Sequence, residues 1–238
     1  MNQQASEREE PHQGNIPERL NWLRAGVLGG NDGIVSTAGI VLGVAGATAT
    51  RTTILTAGIA GLAAGAMSMG VGEYVSVSSQ RDTEKALLEQ ERDELRETPQ
   101  EELEELTDMY AAKGLSHDLA ANVAEQLTER DALAAHAEVE LGINPGNLTS
   151  PWHATFASMF AFTTGSLLPL IAIAVPSPDL RVPITVVAVL LALAATGVIS
   201  GLLGKTPLAR PFWRNLIGGT IAMAVTYGIG TLIGHMMG

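Results

Sequence analysis

Apolar residues gather into five long runs, near Ala25–Ala49, Thr53–Val77, Ala154–Val175, Val182–Leu203 and Phe212–Gly234. Each is long enough to cross a hydrocarbon core, which takes about 20 helical residues. Between the second and third runs the pattern inverts: 18 of the chain's 25 acidic residues lie from Arg81 to Glu140. The pattern predicts an all-α membrane protein with five transmembrane helices and a helical insert between helices 2 and 3. The expected divisions are a polar N-terminal tail at 1–20, transmembrane helices 1 and 2 at 21–80, an acidic insert at 81–147, and transmembrane helices 3–5 at 148–238. The stretch from Met1 to Pro17 is polar and carries Glu7, Glu9 and Glu10, so no cleavable signal peptide is expected and the first span serves as its own insertion signal.

The insert reads as helices. Nothing before Thr98-Pro99 interrupts the second span, which is expected to run on to Glu97. Thr98 is a good N-cap, Pro99 suits the first helical position and Glu101 completes a capping box. This helix is expected to end at Gly114. Ser116 can cap a third helix, running to Gly142 with a break near Thr128.

Net charge is −11 and cysteine is absent, which excludes disulfides and thiolate metal sites. No P-loop appears, so direct ATP drive is not expected, and an acidic chain of this kind is not expected to bind nucleic acid. Basic residues near span ends favour the cytoplasmic side. Arg19, Arg24, Arg81, Lys85, Lys205, Arg210 and Arg214 all fall on one side, against Arg51 and Arg181 on the other. The N-terminus and insert are therefore expected in the cytoplasm, and the C-terminus, with His235, on the opposite side. The first two spans are rich in glycine, and Gly61 and Gly65 have the spacing of a close-packing helix interface. Pro169 removes a backbone donor from the third span and is expected to kink it.

Two carboxylates, Asp32 and Glu73, fall inside apolar runs, where an ionisable residue usually marks a polar pathway. At 1.5 Å per residue, Asp32 lies about 10 Å inside span one and Met69 about 12 Å inside span two. They can face each other at one level, with Glu73 one turn from Met69 toward the cytoplasm and Met67 pointing elsewhere. Packing alone is the plain alternative for the methionines, and a capping role beside Gly33 for Asp32. In the insert, Glu91 with Glu94 and Glu102 with Glu105 are spaced three apart on two helices that Pro99 lets fold back on each other. Glu138 and Glu140 end the third helix, with His136 four residues before Glu140. Such oxygens with one imidazole suit Fe(II), Mn(II), Co(II) or Zn(II), whereas oxygens alone favour Mg or Ca. A solvated acidic face is the competing reading.

Four pieces of the chain resemble the vacuolar iron transporter family: Gly29-Gly-Asn-Asp32-Gly33, the long stretch from Ala63 to Asp82, Glu138-Val-Glu-Leu-Gly142, and Gly165-Ser-Leu-Leu-Pro169. The similarity runs from about Asn21 to the C-terminus. It implies a five-span homodimer that moves ferrous iron, and often manganese or cobalt, out of the cytoplasm against a proton gradient. It also implies that Asp32 and Met69 form the central translocation site and that Glu91, Glu94, Glu102, Glu105 and Glu140 bind metal. The chain departs from some relatives at Ala25 and Gly61, where they carry acidic residues, and His136 stands in place of a methionine ligand. The expectation is a non-enzymatic, proton-coupled exporter in a prokaryotic cell membrane, binding its divalent cargo but no prosthetic group, with lipid and protons as its other partners. A passive divalent-cation channel, for magnesium for example, and a ferroxidase-like membrane protein are the alternatives. The last is disfavoured because the Glu-x-x-His pairs of a di-iron bundle are missing.

Overall fold

A computed structural model of the chain describes residues 16–146 and 148–237, with only the backbone for 16–25. The polar tail expected at the N-terminus therefore lies outside the described residues up to residue 15. Seven α-helices follow in order: α1 (Ile16–Ala47), α2 (Arg51–Glu97), α3 (Pro99–Ala112), α4 (His117–His136), α5 (Pro151–Ala174), α6 (Pro178–Leu203) and α7 (Ala209–Met237). A π-helical turn, Ala137–Leu141, extends α4, and no strand occurs among the described residues. Five helices are long and apolar enough to cross a membrane: α1 from Gly26, then α2, α5, α6 and α7. Three helices open on proline, at Pro99, Pro151 and Pro178, where the missing N–H would have no helical partner in any case. Helix α1 starts well before its apolar run, at Ile16.

The chain forms two compact units, one comprising residues up to Tyr74 with Trp152–Gly238, the other Val75–Pro151. The first holds an apolar core that includes Ile34, Leu42, Ile54, Ile173, Leu193 and Met223. Here α1 packs on α7 and α6, and α6 on α7. Backbones come together where side chains are missing: a Cβ on Gly33 would collide with the Phe162 carbonyl, and one on Gly230 with that of Gly43. Gly61 and Gly65 do pack closely, but within this chain, against Ile40 and the Phe162 ring. Pro169 is buried inside the run of α5. At the span ends farthest from residue 75, two arginines take carbonyls of the connections just beyond the ends of α5 and α1. The Arg51 Nη2 donates to the oxygens of Pro176 (2.8 Å) and Val175 (3.3 Å). Arg181, buried, donates from Nη1 to the Ala49 oxygen at 3.0 Å.

In the second unit α2 continues unbroken to Glu97, and α3 and α4 pack through Leu106 and Ala124, with Ala135 beside them. The expected capping box at Thr98 does not form. Its hydroxyl donates back to the Glu94 oxygen at 3.2 Å, closing α2 instead of opening α3. Gly114 takes a φ of +103°, a left-handed conformation that ends the helix as expected. Ser116 occupies the N-cap of α4 without a side-chain bond. The break in α4 falls at Asp131, three residues beyond Thr128. There the backbone is extended (φ −167°, ψ 93°), and the Asp131 carboxylate accepts the Ala134 N–H at 3.0 Å, a cap set inside the helix.

Candidate metal centre

Buried apolar residues decide which carboxylates turn inward. Leu88 is buried on α2 and Leu106 on α3; Glu91 lies three residues after the first and Glu102 four before the second, so each shares its neighbour's face. Both glutamates are buried, as is His136 at the end of α4. One ligand atom from each lies within 4.8 Å of the others. The His136 Nδ1 stands 3.0 Å from Glu91 Oε1, 3.7 Å from Glu102 Oε2 and 3.9 Å from Glu140 Oε2. The close His136 Nδ1 and Glu91 Oε1 are not aligned as a hydrogen bond, and the other ring nitrogen of His136, Nε2, has no partner among the described residues. Buried polar atoms are rarely left so, and an ion is one of the few explanations. Ligands about 2.1 Å from a shared ion lie at most about 4.2 Å apart, so a contraction of a few tenths of an ångström would seat one.

The electrostatics suit the same chemistry. Burial pushes the Glu91 carboxyl up to about 8, with the nearby charges of Glu140, Glu102 and Glu94 adding to it. Burial likewise raises Glu102, followed by repulsion from Glu105, Glu94 and Glu140. Burial holds His136 below the usual imidazole value although neighbouring carboxylates pull it upward. A neutral imidazole presents a lone pair, the form that binds metal. A divalent cation would supply the charge that this cluster lacks and displace the proton on Glu91.

The remaining predicted residues are placed differently. Glu94 is half-buried and Glu105 exposed; both act on the cluster through their charge. Glu140 is partly exposed but reaches His136. Glu138 is exposed and is not among the three residues that converge. In the other unit Asp32, Met69 and Glu73 are all half-buried, and Met67 is exposed. Among the described residues the Asp32 carboxylate has no hydrogen-bond or ion-pair partner; its backbone carbonyl accepts Ser36 Oγ at 2.6 Å. Helix α5 touches α1 and α2 beside these positions, Phe162 meeting both Gly33 and Gly65, and Met159 meeting Gly70.

Residues 23–231 match the model of the VIT family. The chain belongs to this family. It is 42% identical over 212 residues to a vacuolar iron transporter of Acanthamoeba castellanii, covering 89% of this chain and 78% of that protein. Vacuolar iron transporter homolog 4 of Arabidopsis thaliana is 36% identical over 218 residues, 91% of this chain and 86% of the relative. Homolog 2.1 of the same plant is 32% identical over 234 residues, 98% and 91% of the two chains. With its five apolar helices, this VIT-family member is a multi-pass membrane protein.

Proposed function

We propose that the chain is a carrier for Fe(II) or a related divalent transition ion such as Mn(II), Co(II) or Zn(II), exporting it from the cytoplasm in exchange for protons. The observation that carries this reading is the convergence of the buried Glu91, Glu102 and His136 in a five-span member of a family whose relatives are named for iron. The insert collects the ion on the cytoplasmic side, where the basic residues at span ends set the orientation. Two carboxylates and a neutral imidazole form a borderline set that takes transition ions in preference to Mg or Ca. Asp32, Met69 and Glu73 then serve the membrane crossing, Asp32 exchanging its cation for a proton. Small exposed residues on α2, Ala60, Ala64, Ser68 and Gly72, repeat every four positions and suit close packing against a second copy in a homodimer.

The test is metal uptake into proteoliposomes containing the purified chain, with and without an imposed pH gradient. Gradient-dependent Fe(II) or Mn(II) accumulation is expected. Downhill flux indifferent to the gradient would favour a passive channel instead, and no flux of any divalent ion would remove the transport reading.

A further inference from the structure

Hydroxyls buried among apolar helices usually donate to the carbonyl four residues back. Several hydroxyls of the spans, buried or exposed, do so: Thr163 to Met159 at 2.8 Å, Thr164 to Phe160 at 2.8 Å, Thr185 to Arg181 at 2.6 Å and Thr220 to Leu216 at 2.7 Å; Ser166 instead bonds across to the Gly33 carbonyl. Thr37 and Ser158 are buried exceptions with no partner. Thr37 has an internal explanation, because the Gly33 carbonyl it would use already accepts Ser166 Oγ at 3.2 Å. Ser158 has none. Among the described residues no side chain donates to the Ala154 carbonyl, and Ser158 is 1% exposed.

Its position gives that unpaired hydroxyl a role. The main chain of Ser158 lies against Gly29 of α1, and Phe162, one turn on, touches both Gly33 of α1 and Gly65 of α2. Met159, its neighbour, lies against Gly70 of α2. Asp32 directly precedes Gly33, and Met69 directly precedes Gly70. Ser158 therefore sits in the stretch of α5 that is held between the two helices carrying the membrane carboxylate and thioether. A buried hydroxyl without a partner costs about 1–3 kcal/mol, and a passing cation would use its lone pairs.

We propose that Ser158 Oγ is an oxygen ligand, supplied by α5, for the divalent cation as it passes Asp32 and Met69. This rests on the carrier reading above and adds a third helix to its membrane site. A neutral hydroxyl beside a carboxylate and a thioether completes a mixed set that holds the ion without adding charge to be neutralised.

The test compares wild type, Ser158→Ala, Ser158→Cys and Asp32→Asn in proteoliposomes, with thermal unfolding of each in detergent. Ser158→Ala is expected to lower initial Mn(II) flux by about tenfold with an unchanged or higher Tm, since it deletes a polar atom that bonds nothing in the protein. Ser158→Cys, the sole thiol in the chain, is expected to raise the Zn(II)-to-Mn(II) flux ratio about tenfold over wild type. Wild-type flux in Ser158→Ala beside an inactive Asp32→Asn would overturn the Ser158 ligand and leave the carrier intact. Reduced flux in Ser158→Ala with a lowered Tm and no altered ion ratio in Ser158→Cys would reduce Ser158 to packing. An inactive wild type would sink the carrier and the ligand together.

Discussion

Replacing Glu91 by glutamine is expected to make the empty protein more stable and unable to load metal. In the folded chain Glu91 keeps its proton up to about pH 8, whereas unfolded it releases it near 4.5. A carboxyl whose folded pKa is raised imposes no cost below its unfolded value; the cost grows as pH rises and levels off above the folded value. At pH 7.5, three pH units above 4.5, it reaches a ceiling of about 4 kcal/mol, at about 1.4 kcal/mol per unit. Glutamine has the same shape and no proton to lose. Glu91→Gln is therefore expected to gain about 2–4 kcal/mol at pH 7.5, about 1 kcal/mol at pH 5.5 and nothing near pH 4.5. Thermal or denaturant unfolding of the full chain in detergent with a chelator, at several pH values, measures it. Adding Mn(II) at about 100 times Kd should then stabilise wild type by about 2.7 kcal/mol and leave the variant unmoved. A variant no more stable than wild type at pH 7.5, or a gap independent of pH, would refute the reasoning.

Asp32→Asn is expected to fold and keep its Tm while gradient-driven Fe(II) flux falls to background, because the change removes charge at constant volume; wild-type rates would leave Asp32 a backbone-shaping role beside Gly33. His136→Met is expected to weaken Zn(II) relative to Fe(II) in calorimetric binding to the purified chain, and an unaltered ratio would remove His136 from the ligands. Gly33→Ala is expected to lower stability by about 2 kcal/mol or more because the new methyl meets the Phe162 carbonyl. Gly26→Ala, whose methyl meets nothing within 4 Å, is expected to be neutral or to gain about 0.5–1 kcal/mol. Equal melting temperatures for the two alanine variants would contradict the packing described for α1 and α5.

The helices were legible because apolar run length and the prolines at 99, 151 and 178 both act locally. The carboxylate pairs were legible as pairs, from spacing alone. Which member of each pair turns inward was not, because Glu91 and Glu94 are chemically equivalent and only the packing of α3 and α4 separates them. A usable signal existed in Leu88 and Leu106, whose buried faces carry Glu91 and Glu102. The Asp131 break also had a local sign, an aspartate followed by Ala-Leu-Ala, the arrangement of an N-cap before a helical turn. Ser158 had none, since a serine in an apolar run looks like any other until its partners are known.

In a carrier that exports toward the Arg51 and Arg181 end of the spans, these two arginines would bear on how quickly a cation leaves. The C-terminal end of a helix carries about half a negative charge on carbonyls without partners, so the ends of α1 and α5 would form a shallow trap for any cation emerging beside them. The guanidinium of Arg51 just past the end of α5 and that of Arg181 just past the end of α1 place positive charge beside those oxygens. If the chain is the carrier proposed above, dwell time at that rim would be shortened, and an ion released there would be repelled into solution instead of lingering where it could slip back. Stability and turnover would be served by the same two arginines, and losing either should show as a slower off-rate even in protein that remains folded.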